Sequence, residues 1–264
     1  MLAVGDAVLE TVYFGPSPTE APTIVLLHEG LGCCVLWRDF PHRLAALTGC
    51  GVFAYSRAGY GRSSPAHLPR PTDYMTQEAI DVLPRVLDAI GLQRGILLGH
   101  SDGATIAAIH GGSVPDPRVH GLILLAPHFF TEPEGLSAIA EAGQSYRATD
   151  LRDRLAKYHD DPDISFLGWH DVWLSTEFRA WSVAHVIDEW RVPVLALQGQ
   201  DDQYGTLAQI HEIERRIRTP LETCILERCG HAPHLEATEA TLDAITGFIT
   251  RVAPGDDRPA EARR

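Results

Sequence analysis

Six short apolar runs punctuate the chain, at residues 23–28 (TIVLLH), 51–56 (GVFAYS), 95–99 (GILLG), 122–126 (LILLA), 192–198 (VPVLALQ) and 221–227 (LETCILE). Apolar residues follow one another in these runs instead of alternating with polar ones, which is the pattern of strands covered on both faces. Helix-period segments at residues 37–48, 76–90, 102–111, 206–218 and 236–251 fill the intervals, with Pro84 placed to kink the second. Strand and helix in alternation predict a doubly wound, mostly parallel α/β sheet. One interval is too long for a single crossover. Residues 128–190 are expected to form an inserted helical cap, because a structureless loop of that length is uncommon in a compact domain. The expected organisation is a core of residues 1–127 and 191–252, a cap of 128–190 and a flexible polar tail of 253–264.

Composition narrows the chemistry. The 264 residues carry 22 basic against 35 acidic side chains, a formal charge of −13, which argues against nucleic acid as a partner. Lys157 is the only lysine, so a Schiff base has one candidate, and no GK[ST] phosphate loop exists. The five cysteines, Cys33, Cys34, Cys50, Cys224 and Cys229, show no CxxC spacing and suggest neither a disulfide framework nor a zinc site. The opening residues lack a secretory pattern, and no apolar run approaches membrane-spanning length. A cytoplasmic protein with a small-molecule substrate, no cofactor, no metal and no membrane partner is expected. The oligomeric state stays open, a homo-oligomer included.

Gly99-His100-Ser101-Asp102-Gly103 follows the run GILLG and opens a helix-period segment. In that context G-x-S-x-G reads as a nucleophile elbow, with Ser101 held clear of the sheet at a helix N-terminus. A serine hydroxyl is a poor nucleophile until a neighbour takes its proton. His231, in Cys229-Gly230-His231-Ala232-Pro233-His234, lies just past the last run and is the candidate general base. Asp202, in Gly199-Gln200-Asp201-Asp202, is the candidate acid that orients it, with Asp201 its adjacent competitor. His231 and His234 together make only a weak metal pair, since no HExxH spacing or nearby acidic ligand accompanies them.

Four blocks, LLHEGLG, SRAGYGRSS, LLGHSDGA and CGHAPHLE, and the order Ser101, Asp202, His231 resemble the α/β-hydrolase superfamily. The resemblance covers residues 23 to 251 or so and points to its small capped members, which hydrolyse carboxylic esters, lactones or thioesters and, in some branches, carbon–carbon bonds or epoxides. It implies an oxyanion hole built from the backbone N–H groups of Gly30 and Asp102. Relatives that open epoxides or displace halide place aspartate at the elbow, so Ser101 favours acyl transfer. Two departures stand out. Glu29 sits where a carboxylate is electrostatically unwelcome, and is expected either to turn away into a salt bridge, with Arg57 for instance, or to contact substrate. Ser56 replaces a common aspartate, which reads as a structural change. The Asp102 carboxylate is read as complementing the helix dipole, with direct substrate contact as the alternative.

The cap supplies aromatic material, of which Trp169 and Trp173 stand one helical turn apart and are candidates for the pocket, as are His128 and Tyr204. The expected activity is cofactor-free hydrolysis of a small or medium, neutral carboxylic ester or lactone through an acyl-enzyme. A carbon–carbon bond hydrolase of ring-fission diketones and a non-catalytic ligand-binding relative are the alternatives. Residues 128–190 hold five basic against twelve acidic side chains, so over half the net charge falls on the expected cap, which should repel polyanions such as acyl-coenzyme A.

Overall fold

Consecutive residues of each central strand point into two different cores. Ile24, Leu26, Ile96, Leu98, Ile123 and Leu125 enter one, while Val25, Leu27, Leu97, Leu122 and Leu124 enter the other. This is why these runs show no alternation: both faces are out of water. The computed structural model describes residues 1–252, so the expected tail of 253–264 lies outside the described residues.

A hairpin of β1 (Leu2–Val4) and β2 (Ala7–Leu9) precedes a seven-stranded sheet of β3 (Thr11–Phe14), β4 (Thr23–Leu27), β5 (Gly51–Tyr55), β6 (Gly95–His100), β7 (Val119–Leu125), β8 (Val194–Gly199) and β9 (Leu221–Leu226). The order across the sheet is β3-β5-β4-β6-β7-β8-β9; β3 runs antiparallel to β5 and the other pairs are parallel. The chain leaves β4 in one direction and returns through β6 on its other side. That makes the β4–β6 boundary the switch point, where ligands of open α/β sheets bind.

α1 (Phe40–Thr48) covers one face. On the other face α2 (Tyr74–Gln77), a widened π turn (Glu78–Val82) and α3 (Leu83–Ala89) replace the single kinked helix expected over residues 76–90. Proline has no N–H, and its ring presses on the carbonyl four residues earlier; the widened turn ahead of Pro84 removes both problems. α4 (Asp102–Ser113) is buried along nearly its whole length.

The interval between β7 and β8 holds α5 (Pro133–Ala148), α6 (Leu151–Leu155) and α7 (Pro162–Trp173), followed by two 3-10 turns. Its neck is narrower than 128–190. Phe130 bridges Ser182, Val183 N–H donates to the Phe129 carbonyl at 2.8 Å, and the second turn (Ala184–Glu189) packs its buried Val186 and Ile187 on the core side against α4. α8 (Ala208–Arg216), α9 (Pro233–Glu236) and α10 (Thr238–Val252) complete the layers, α10 lying beside α1. Among the described residues no helix is long and apolar enough to cross a membrane.

Candidate active site

Between the end of β6 and the start of α4, Ser101 alone makes the turn, at φ 54° and ψ −118°. A residue with a side chain adopts such a conformation only when its surroundings impose it. Here Ser101 N–H donates to the Leu125 carbonyl at 2.9 Å, and the flanking glycines bring the backbones together. A Cβ at Gly99 would lie 2.1 Å from the Gly103 carbonyl oxygen, and one at Gly103 would lie 2.0 Å from that of Leu27. The same turn aims the positive end of α4 at Ser101. Among the described residues the N–H groups of Gly30 and Asp102 donate to no protein acceptor, as donors for an oxyanion must.

Asp202 and His231 come together from the loops after β8 and β9. His231 Nδ1 donates to both carboxylate oxygens of Asp202, at 2.9 and 2.8 Å, which places the ring proton on Nδ1 and leaves Nε2 as acceptor. Asp202 is nearly inaccessible, and its oxygens also receive Gln198 Nε2 at 2.7 Å and Tyr204 N–H at 2.8 Å. Burial by itself would raise this carboxyl, but these hydrogen bonds and the adjacent imidazole hold it below the usual carboxylate range. Asp201 is exposed and its carboxylate accepts no hydrogen bond from a described residue. The Ser101 hydroxyl and His231 face one cavity without a hydrogen bond between them, a looseness common before substrate is bound.

The loop after β4 is fixed through its backbone. Arg57, 1% exposed, donates to the carbonyls of His28 at 2.5 Å and Glu29 at 3.0 Å. This corrects one expectation: Arg57 holds the Glu29 main chain, and the Glu29 carboxylate is left to the cavity. His100 Nδ1 is 3.6 Å from Glu29 Oε2. Burial works to raise the Glu29 carboxyl, but the neighbouring His100 and His28 rings keep it well below the ordinary range. The second oxyanion-side carboxylate is also placed. Asp102 is fully buried beneath Tyr74, whose hydroxyl donates to it, and 3.7 Å from Arg57, so its side chain does not reach the cavity and direct substrate contact is ruled out. Ser56 hydrogen-bonds Glu10 at 2.6 Å and accepts Cys34 N–H at 2.9 Å, a structural role as expected.

A cavity of about 270 Å³ opens over Ser101. Glu29, Gly30, His128, Trp169, Trp173, Tyr204 and His231 all line it, so the sequence-read pocket residues converge there. Trp169 and Trp173, both on α7, pack as core and line the cavity at once. Sequence reading missed several contributors. His100 Nε2 donates to the His231 carbonyl at 2.7 Å, and Glu236 accepts the N–H groups of Gly230 and Ala232 at 2.7 and 2.9 Å, clamping the loop on both sides of His231. Trp173 Nε1 donates to the Tyr74 hydroxyl at 3.0 Å, tying α7 to the elbow through Asp102. Only the histidine just before Ser101 and the glutamate five residues after His231 gave any hint, through proximity in sequence. No group of three or more metal-ligating side chains is placed to hold an ion among the described residues.

Burial, reinforced by neighbouring imidazoles, holds both His128 and His234 down to about 3 from an ordinary 6.5. Below pH 6.5 the unfolded chain therefore binds protons that the folded protein refuses. Stability is whole above that pH and falls as the pH drops toward 3, at about 1.4 kcal/mol per pH unit for each group. Thermal melts should show a clear drop in Tm between pH 7.5 and pH 5; equal values would contradict this assignment.

The sequence pattern of the Alpha/beta hydrolase family matches residues 24–244. Epoxide hydrolase B of Mycobacterium tuberculosis (strain ATCC 25618 / H37Rv) is 31% identical over 123 residues, 46% of this chain and 33% of that protein. The match thus spans about a third of the curated relative's length. Proline iminopeptidase from Mycobacterium smegmatis has a similar structure, with a TM-score of 0.70 at 20% identity over 95% of this chain and 97% of its own. The enol-lactonase from Burkholderia xenovorans LB400 gives 0.69 at 20% identity over 94% and 98%. At these identities the structural likeness speaks for the fold.

Proposed function

Since the chain belongs to the Alpha/beta hydrolase family, we propose that it is a serine hydrolase acting through an acyl-enzyme on a small or medium carboxylic ester or lactone. The observation that carries this reading is the strained Ser101 turn opening into the same cavity as a His231 whose proton is held on Nδ1 by Asp202. Serine at the elbow, where epoxide-opening relatives use aspartate, favours attack on a carbonyl over displacement at saturated carbon.

In the proposed reaction, Ser101 Oγ adds to the carbonyl carbon as His231 Nε2 takes its proton. Asp202 stabilises the imidazolium, and the N–H groups of Gly30 and Asp102 stabilise the oxyanion. Collapse breaks the bond to the alcohol oxygen, which leaves with the proton from Nε2. Water then attacks the acyl-enzyme with the same base assisting, and the acid departs. Every acid–base step uses a side chain of this protein.

A fluorophosphonate should label Ser101, with the adduct mapped by mass spectrometry. A folded wild type that stays unlabelled would overturn the mechanism. Turnover of p-nitrophenyl esters of graded chain length should exceed cleavage of a ring-fission diketone; the reverse would replace ester with carbon–carbon hydrolysis.

A further inference from the structure

A carboxylate and an imidazole nitrogen face each other across the floor of the cavity without a hydrogen bond between them. One is Glu29, whose carboxylate accepts no hydrogen bond from any described residue although its main chain is held on the carbonyl side by Arg57 and by His28 Nδ1. The other is Nδ1 of His100. That ring is 3% exposed, its Nε2–H is committed to the His231 carbonyl, and its Nδ1 has no hydrogen-bond partner among the described residues. The gap to Glu29 Oε2 is 3.6 Å, too long for a hydrogen bond. Glu29 keeps 28% of its side-chain surface accessible, and both residues line the cavity over Ser101.

The rest of the wall has a matching character. Trp169, Trp173 and Tyr204 present aromatic surface, and among the described residues no lysine or arginine lines the cavity. Glu236, the other carboxylate at its rim, is already occupied by two backbone N–H groups. For a neutral substrate an ionised Glu29 beside Gly30 opposes the oxyanion that forms there. A cation seated at Glu29 reverses that penalty, and an N–H-bearing cation also supplies a hydrogen bond to the Glu29 carboxylate.

We infer that the preferred substrate is a carboxylic ester carrying a protonated amine close to the scissile carbonyl, its N–H groups donating to Glu29. The inference rests on the serine-hydrolase reading and replaces the neutral substrate expected from sequence with a cationic one.

Two isosteric pairs test it at pH 7. L-alanine methyl ester is compared with methyl 2-methylpropanoate, in which a methyl group replaces the ammonium. The other pair, 2-(dimethylamino)ethyl butanoate and 3-methylbutyl butanoate, moves the charge to the leaving group. In at least one pair the ammonium ester should lead in kcat/KM by roughly 10- to 100-fold, the range of a charge-assisted hydrogen bond. Glu29→Gln should collapse that ratio toward one. The ratio is taken within each protein, so a general loss of activity leaves it readable. As a readout without turnover, L-alanine methyl ester should bind Ser101→Ala protein more tightly than methyl 2-methylpropanoate does. Ratios near or below one in both pairs, in an enzyme that hydrolyses p-nitrophenyl butanoate, would overturn the inference and leave the serine-hydrolase reading standing. A ratio that survives Glu29→Gln would also overturn it. A wild type that neither labels with fluorophosphonate nor turns over any ester would bring down both.

Discussion

Ser101→Ala is expected to lower kcat by about 10⁶-fold and to abolish fluorophosphonate labelling, the scale seen when the nucleophile of such a machine is removed. The turn itself should survive, because it is built from the Ser101 N–H bond to Leu125 and from the close approaches at Gly99 and Gly103, none of which uses the hydroxyl. Ser101→Gly separates chemistry from conformation further. It should be equally inactive yet more stable, because glycine adopts φ 54° without the cost of about 1–3 kcal/mol that a side chain incurs there. Part of that gain is offset by glycine's greater freedom in the unfolded chain. At roughly 2–4 °C per kcal/mol, a rise of a few degrees in Tm is the expected result. A Ser101→Gly protein that melts below wild type would show that the turn is not strained, and retained turnover in Ser101→Ala would remove Ser101 from the mechanism.

Asp202→Asn should cost about 10⁴-fold in kcat, the second largest effect. Tyr204 N–H and Gly205 N–H donate to Oδ1 of Asp202, and an asparagine would keep its carbonyl oxygen on them. Its NH₂ group then faces His231 Nδ1, which must become an acceptor. The ring proton moves to Nε2, and the base that should receive the Ser101 proton is lost. Asp201→Asn should stay within a few-fold of wild type, since that side chain is exposed and bonds to nothing described. Circular dichroism of both variants separates lost chemistry from lost fold; a larger effect at Asp201 would exchange their roles.

How much of this was legible beforehand depended on whether a feature lives in the local chain. The central strands were readable because burial on both faces leaves uninterrupted apolar runs, as in residues 95–99 and 122–126. β1, β2 and β3 were not, being three or four residues long and partly exposed, too short for any period to register. Pro84 announced a defect in its helix, but not that the defect would be a widened turn. At the site, Ser101 and its two glycines are neighbours in sequence and carry their own geometry. The preference for Asp202 over Asp201 has its physical reason only in the folded chain, where Gln198, Tyr204 and Gly205 converge on one carboxylate.

Glu29 marks the boundary most clearly. Its anomaly was visible in the string LLHEGLG, since a carboxylate beside an oxyanion hole is electrostatically odd wherever the chain goes. Which of two answers applied was not visible. The Arg57 guanidinium turned to backbone carbonyls, and His100, seventy-one residues along the chain, came to within 3.6 Å with a bare nitrogen. Fold class, the elbow and the three candidate residues follow from local pattern: periodicity, turn chemistry and order along the chain are properties of neighbours. Partners of a side chain are chosen by strands and loops that meet only when the sheet closes, so the charge character of the pocket could be read only there.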